Sequence, residues 1–301
     1  MRTLFIAVAL LASCSGASAC DVCGCSIGGN YFGILPQFHR HFIGLRWSTE
    51  TTHTALSAEA LQQRRYHSLE QFSSLDLLGR FYPARRWQTI LLAPYRWYRQ
   101  TEDGRPTSVQ GLGDVSALVN YVLLDTGDSL RYRWRQTLSV GGGVKLPTGR
   151  HNLPAADGGP LNPNLQPGTG STDFLLSAAY TLRRGAWGVS TDLLARWNTA
   201  NDQEYHFGNR LSGSAKFFYW KTLRSVTLLP NAGVFGDAAQ ANRDAGTRLD
   251  GSEGVAAFAT LGLDAYFGHF SAGANVQPPI WQSRNTVQAN TRWMITLNYI
   301  F

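Results

Sequence analysis

The last eleven residues of the chain, 291–301, alternate between two classes of side chain without interruption. The mainly apolar class comprises Thr291, Trp293, Ile295, Leu297, Tyr299 and Phe301, and the other class comprises Arg292, Met294, Thr296 and Asn298. Because successive side chains of a β-strand point to opposite faces, the segment predicts a strand with one apolar face and one polar face. Such a strand suits the wall of a membrane barrel, where the apolar face contacts lipid. The competing interpretation is the last strand of a soluble sandwich.

The composition agrees with a barrel. The chain has 301 residues, including 9 Trp, 12 Tyr, 15 Phe and 31 Gly, but only 16% are charged and the mean hydropathy is -0.19. After residue 20, no window holds the roughly 18 uninterrupted apolar residues that a membrane helix needs. The sequence therefore excludes a helical membrane protein, whereas a barrel evades a hydropathy search because only alternate residues face lipid.

Alternation of side chains, interrupted by Gly, Pro and polar clusters, predicts twelve strands. They are 38–48, 69–82, 87–98, 114–124, 131–146, 173–182, 187–197, 209–220, 225–235, 255–267, 270–276 and 291–301. The intervals between them alternate between short ones of 2 to 6 residues and long ones of 11 to 26 residues. Tight periplasmic turns and longer outer loops are typical of outer-membrane barrels. We therefore expect an all-β fold, a transmembrane antiparallel β-barrel of about twelve strands in the bacterial outer membrane.

The polar faces of these strands carry more bases than acids. In segment 131–146, Arg131, Arg133 and Arg135 share one face with Lys145. A charge on the lipid face would cost roughly 2–4 kcal/mol at the bilayer midplane, so this face must be the interior. The inward bases are Arg46, Arg80, Arg96, Arg131, Arg133, Arg135, Lys145, Arg196, Lys216 and Arg292, and the inward acids are Asp76, Asp114, Asp173, Asp192 and Asp264. Two interpretations stay open: a conduit or pocket that favours anionic solutes, or a salt-bridge network that fills a narrow barrel.

The excess of bases does not indicate a nucleic-acid partner. There are 27 Lys and Arg against 20 Asp and Glu, which gives a net charge of +7 and an isoelectric point near 9.4. These charges are spread along the predicted strands rather than clustered in a basic arm or helix. We expect no nucleic-acid binding.

The first 19 residues have the pattern of a signal peptide. Arg2 supplies a positive charge, 4–12 form a short apolar core, and 17–19 are the small residues of a cleavage site. A second interpretation stays open, because 11–14 resemble the sequence at which a bacterial lipoprotein is cut before an acylated cysteine. The predicted organisation is 1–19 signal peptide, 20–37 Cys-rich periplasmic N-terminal segment and 38–301 barrel.

Three cysteines, Cys20, Cys23 and Cys25, lie within six residues. This spacing lets three thiolates converge on one ion, and sulfur ligands suit copper(I) or zinc. His39 and His41 are nearby nitrogen donors, although both also suit the interfacial start of a strand. A disulfide with one spare cysteine, or acylation of Cys20, would use the same residues. Metal binding, redox chemistry and lipid attachment all remain open.

Catalysis is not expected. His269, Ser271 and Asn275 superficially resemble the His-x-Ser arrangement of an outer-membrane phospholipase. They fall beside a predicted periplasmic turn, however, and Ser271 takes the inward phase, whereas a lipase needs its nucleophile and base on the outer, lipid-facing side. The sequence has no GxSxG, HExxH or phosphate-binding motif.

Three Gly-rich segments carry a family resemblance: 111–114 (GLGD), 143–149 (GVKLPTG) and 167–173 (PGTGSTD). Over roughly residues 30 to 301 the chain resembles outer-membrane transporter barrels labelled with the MetA pathway of phenol degradation. The resemblance implies a transport-type barrel but brings no binding residues with it. The aromatic C-terminal residue also resembles the terminal strand by which the barrel assembly machinery recognises outer-membrane barrels, which implies that machinery as a partner.

These observations predict a channel or transporter for small solutes, anionic or aromatic ones included, that is embedded in outer-membrane lipid. One alternative is a non-conducting binding or structural barrel. Another is a metal-handling protein in which the Cys segment binds copper or zinc.

Overall fold

The computed structural model describes residues 40–56, 66–102, 105–126, 133–155, 158–159, 161–283 and 287–301. Within these ranges, twelve long antiparallel strands form a closed barrel. They are β1 (Phe42–Leu56), β2 (Tyr66–Ala84), β3 (Trp87–Glu102), β4 (Ser116–Asp125), β5 (Arg135–Lys145), β6 (Asp173–Arg184), β7 (Trp187–Trp197), β8 (Arg210–Tyr219), β9 (Val226–Ala239), β10 (Gly254–Phe267), β11 (Phe270–Gln277) and β12 (Arg292–Ile300). In the described part of the chain, no helix is long and apolar enough to span a membrane.

Each strand pairs with its neighbours in the sequence, and β1 pairs with β12 to close the barrel. At this seam Phe42 lies opposite Ile300 and Thr49 lies opposite Trp293. Closure gives every strand two hydrogen-bonded neighbours, which is the condition for a sheet to exist in lipid. The predicted fold class and strand number are confirmed.

Three strands extend further toward the long-loop end of the barrel than the sequence predicted. β1 continues to Leu56, β2 begins at Tyr66 and β9 reaches Ala239, because polar inward side chains continue beyond the apolar stretch that marked each strand. β5 begins at Arg135, later than the predicted residue 131. Additional short strands, Arg105–Leu112, Lys221–Leu223, Pro279–Gln282 and Val287–Ala289, pair with β3, β9, β10 and β1 respectively.

The two ends of the barrel have different connections. At one end the links are short, including 185–186 and 268–269, where Gly185 and Gly268 have φ angles of 61° and 56°. The first residue of β1 and the last of β12 lie at this end. The connections at the opposite end are longer, and 146–172 is one of them. By the general rule for outer-membrane barrels, the end with tight turns faces the periplasm.

The outer face is apolar and ends in aromatic residues. On β12, Trp293, Ile295, Leu297 and Tyr299 are each about half exposed, whereas Arg292, Thr296 and Asn298 are buried. Aromatic pairs at the periplasmic edge include Trp87 with Tyr121, at 5.1 Å between ring centroids, and Phe267 with Phe270. This is the aromatic girdle expected where a barrel meets the membrane interface.

Apolar side chains cluster at the periplasmic end of the interior, which the sequence did not predict. Phe42, Leu78, Leu92 and Ile300 form a buried cluster with Tyr266 packed against it. A further inward cluster comprises Ile90, Leu118, Leu175 and Leu194. Side chains therefore fill part of the interior, as the modest diameter of a twelve-stranded barrel allows.

Candidate functional site

Buried ion pairs line the interior of the barrel, and all but Arg46–Asp76 lie near its long-loop end. Lys145 is the last residue of β5, Asp173 is the first of β6, and Arg210 and Arg292 are the first residues of β8 and β12. The pairs are Arg46 with Asp76 at 2.7 Å, Lys145 with Asp114 and with Asp173 at 2.8 Å, Arg210 with Asp237 at 3.1 Å and Arg292 with Glu50 at 2.9 Å. Such pairing offsets the cost of burying each charge, and it leaves the sheet interior lined by alternating positive and negative groups.

Asp114 is the centre of what we call the Asp114 cluster, comprising Asp114, Lys145, Gly149, Thr169 and Asp173. Its carboxylate accepts hydrogen bonds from Lys145 Nζ at 2.8 Å, from Gly149 N at 3.0 Å, and from Thr169 N at 2.9 Å and Oγ1 at 2.7 Å. Lys145 Nζ also contacts Thr169 Oγ1. The three Gly-rich segments singled out in the sequence thus meet at one carboxylate.

The environment of Asp114, which lies outside the strands, sets its charge state. Burial alone would raise the pKa of its carboxyl group, but Lys145 and the hydrogen bonds from Thr169 outweigh burial and hold the pKa below the ordinary value. Asp114 is therefore an anion at neutral pH, and its negative charge is matched by the Lys145 ammonium group.

The connection 146–172, which we call the mouth loop, follows β5. Its described residues, 146–155, 158–159 and 161–172, fold over the barrel opening. Gly149 and Gly168 approach so closely that a Cβ built on Gly168 would lie 2.5 Å from the Gly149 carbonyl carbon. Arg96 Nη1 donates to Pro167 O at 3.0 Å. Only residues without a side chain fit this backbone contact. Gly149 and Gly168 therefore allow the loop to pack closely against the barrel wall.

The middle of the mouth loop packs on inward side chains of the extended β2–β3 hairpin. Leu161 and Leu165 are buried against Phe72 and Tyr98. The rings of Phe72 and Tyr98 meet edge to face with centroids 5.0 Å apart. The loop is therefore anchored twice, by polar contacts at its two ends and by apolar contacts at its middle.

A second polar network joins β12 to β1 and to β9. Glu50 is almost fully buried and forms an ion pair with Arg292, and Asp237 and Arg210 are near enough to act on it electrostatically. The guanidinium group of Arg292 also lies over the Phe258 ring, at 4.0 Å from the centroid. Glu50, Asp237 and Arg210 were not among the sequence candidates, because the predicted strands ended before the first two.

Deeper in the interior, two bases have different surroundings. Lys216 is within electrostatic range of Asp192 and Asp264. Arg80 is also buried, but its nearest groups are Arg40 O, which accepts from Nη2 at 3.2 Å, and the rings of Phe42 and Tyr82. No carboxylate among the described residues pairs with Arg80.

The other sequence candidates are placed as follows. Arg46, Lys145, Lys216, Asp264 and Arg292 are buried inside the barrel, and Asp192 and Arg196 are partly buried on the inward face of β7. Arg96 contacts the mouth loop. Arg133 precedes β5, is exposed, and lines a groove on the outer surface rather than the buried interior. Arg135 is partly buried at the first position of β5, and Arg131 lies outside the described residues.

The proposed metal ligands Cys20, Cys23, Cys25 and His39 also lie outside the described residues. Within the described ranges there is no group of three His, Cys, Asp or Glu side chains that could hold a metal ion. His41 stacks on the ring of Phe301, with centroids 5.6 Å apart. His41 therefore lies at the interfacial start of a strand, which was the alternative to a role as a metal ligand.

His269 and Ser271 have separate partners. His269 Nδ1 is 3.0 Å from Ile300 O, and Ser271 Oγ accepts a hydrogen bond from Asn298 Nδ2 inside the barrel. The ring and the hydroxyl are thus oriented by β12 rather than by each other.

Comparison with known proteins supports the barrel assignment. The family model described as the MetA-pathway of phenol degradation matches residues 80–294. An outer membrane channel from Pseudomonas putida F1 superposes with a TM-score of 0.65 at 16% identity, covering 89% of this chain and 100% of that one. The β domain of the Bordetella autotransporter BrkA superposes with a TM-score of 0.50 at 15% identity, covering 87% and 100%. No curated protein was found to match the chain in sequence. The closed barrel shared with these proteins, together with its apolar outer face, places the chain in the bacterial outer membrane.

Proposed function

The chain belongs to the MetA-pathway of phenol degradation family, and from this premise we propose that it is an outer-membrane channel or transporter for small solutes. The observation that carries the proposal is the mouth loop, which is folded over the opening and held there by the Asp114 cluster. A loop of this kind narrows a barrel without entering its wall. Solutes would pass beside it, along an interior lined by the buried ion pairs.

The proposed preference is for anionic solutes, aromatic ones among them. The interior ion pairs comprise four bases and five acids, so they do not by themselves favour anions. Arg80 is different, because it is a buried cation without a carboxylate partner among the described residues, and aromatic rings flank it. A fixed positive charge in a narrow path attracts anions, and the rings would contact an aromatic body.

Planar bilayers test this proposal. The full-length chain should form channels whose reversal potential in a salt gradient shows anion preference, and Arg80→Gln should shift that potential toward cations. Arg150→Gln is the matched control, because Arg150 is exposed on the mouth loop. Equal shifts in both variants would show that Arg80 is not on the path.

A second candidate function is a non-conducting barrel that binds a partner through its outer loops. The apolar cluster of Phe42, Leu78, Leu92 and Ile300 favours it, because these side chains fill the periplasmic end of the interior. The same bilayers decide between the two: absence of channels in the wild type and in variants that loosen the mouth loop would favour the second.

The remaining proposals rest on the sequence. Residues 1–19 would direct export, the barrel assembly machinery would insert the chain through its C-terminal strand, and 20–37 would form a periplasmic segment whose cysteines bind copper(I) or zinc. Mass spectrometry of the mature chain separates the alternatives for the cysteines. A loss of two hydrogens means a disulfide, a diacylglycerol adduct means anchoring, and a reduced chain that keeps about one ion supports a metal site.

A further inference from the structure

A groove of about 770 Å³ lies on the outer surface at the periplasmic ends of β5 to β8. Its floor includes Leu182 and Val189, which are register partners on β6 and β7. Both point away from the interior, because the inward residues of β6 and β7 include Leu175 and Leu194, in the opposite phase. The groove is therefore on the lipid face and is separate from the Asp114 cluster and the mouth loop.

The two walls of the groove are built from aromatic rings. On one side the guanidinium group of Arg184 lies over the Trp134 ring, at 5.0 Å from the centroid. On the other side Trp187 stacks on Phe217, with centroids 5.1 Å apart, and contacts Tyr219 at 4.4 Å. These contacts hold the rings in place beside an apolar floor, so the groove is a fixed concave surface.

The periplasmic edge of the groove is positively charged. Arg133 and Arg184 line it, both are exposed, and neither forms an ion pair with a described residue. Other bases are exposed in the neighbouring short turns: Arg85, Arg86, Lys221 and Arg224. An anion at this edge would therefore meet two exposed guanidinium groups, neither of which is paired with a carboxylate of the described residues.

We propose that this groove is a binding site for one anionic glycerophospholipid of the periplasmic leaflet. The phosphate would lie against Arg133 and Arg184, because guanidinium groups bind phosphate oxygens through paired, charge-assisted hydrogen bonds. One acyl chain would lie on Leu182 and Val189, between the aromatic walls. The aromatic rings suit this depth, because they combine an apolar body with a polar edge at the membrane interface.

Native mass spectrometry of the full-length chain in detergent, with equal amounts of phosphatidylglycerol and phosphatidylcholine of the same acyl chains, tests the proposal. The wild type should retain phosphatidylglycerol at least about tenfold over phosphatidylcholine, because two nearby arginines attract its net negative charge. Arg133→Gln with Arg184→Gln should remove this preference. The matched control, Arg85→Gln with Arg86→Gln, removes the same charge from the same rim and should keep it.

A second variant tests the apolar part of the groove. Val189→Trp places a large ring on the floor and should reduce retention of both lipids while the chain keeps its heat-sensitive migration as a folded barrel on gels. Equal retention of the two lipids by the wild type would overturn the proposal. So would an equal loss of preference in the control pair, which would mean that the basic rim acts only through its total charge.

Discussion

Asp114 and Lys145 form an ion pair, with 2.8 Å between Oδ2 and Nζ, that joins the residues before β4 to the end of β5 inside the barrel mouth. Both side chains are nearly inaccessible to solvent, and the same carboxylate holds Gly149 and Thr169, near the two ends of the mouth loop. One ionised group therefore holds both ends of the loop, whereas apolar contacts hold its middle.

Asp114→Asn is expected to release the mouth loop. The change weakens the hydrogen bonds that the carboxylate accepts from Gly149 and Thr169, while Lys145 keeps its ion pair with Asp173. Loss of such charge-assisted hydrogen bonds at a buried site costs about 1–3 kcal/mol. Single-channel conductance should rise or become noisy, and proteases should cut within 146–172 more rapidly. Asp250→Asn, at an exposed outer-loop pair with Arg248, is the control and should behave as the wild type.

Acid should have the same effect on the wild type as the substitution. The pKa of Asp114 is lower in the folded protein than its ordinary value near 3.8, so its stabilising contribution is complete above that value. It is lost as the pH falls through the lowered pKa. Protease cleavage of the mouth loop should therefore increase only in strong acid, and Asp114→Asn should show no such rise. A transition near neutral pH would contradict this assignment.

Gly168→Ala should displace the mouth loop by steric contact alone. A Cβ at this position would lie 2.5 Å from the Gly149 carbonyl carbon, a backbone atom that cannot move aside cheaply. Cleavage within the loop should increase as in Asp114→Asn. Gly236→Ala in β9 is the control, because its Cβ would meet nothing within 4 Å. Equal resistance of both variants to protease cleavage would show that the loop keeps its position even when Gly149 and the residue at 168 are farther apart.

Glu50→Ala should destabilise the wall near the seam. It removes the carboxylate from the buried ion pair with Arg292, with an expected loss of about 3–5 kcal/mol. The temperature at which the barrel unfolds on gels should fall. Glu50→Ala combined with Arg292→Met should recover part of the loss, because the double change removes both charges of the pair from the buried site. Asp202→Ala, at an exposed pair with His151, should change little.

Surface labelling tests the orientation of the barrel. Asp250→Cys lies in a long connection and should react with an impermeant thiol reagent on intact cells. Lys221→Cys, exposed near a short turn, should react only after the outer membrane is opened. The reverse pattern would invert the assignment of the two ends.

Alternation in the sequence was enough to predict the strands and the inward phase of β12, because Arg292, Thr296 and Asn298 recur at every second or fourth position between large apolar residues. It failed where two apolar residues adjoin. Leu77 is 51% exposed and Leu78 is 1% exposed, so adjacent leucines lie on opposite faces and no pattern distinguishes the interior one. The apolar clusters of the interior were missed for this reason.

The Asp114 cluster was only partly predictable. The Gly-rich segments marked its members, but the contact between Gly149 and Gly168 depends on how a long loop folds back, which local periodicity does not encode. The pairing of Glu50 with Arg292 does not follow from the sequence pattern, because the predicted first strand, 38–48, ends before Glu50. Thr52, inward and buried two residues later, was the signal that β1 continues.

The seam between Phe42 and Ile300 has a consequence for how the barrel assembles. The other pairs among the twelve long strands join segments that are close in the chain, whereas this pair joins opposite ends of it. The entropic cost of bringing these two strands together is the largest of any pair of long strands in the wall. Their contacts can form only after nearly all of the chain has been delivered to the membrane. Until then β1 and β12 each present an open row of backbone donors and acceptors, which are expensive to leave in lipid. Only the closed barrel, which has no unpaired strand edge, is therefore stable in lipid. Loss of either seam strand should abolish insertion rather than yield a smaller barrel.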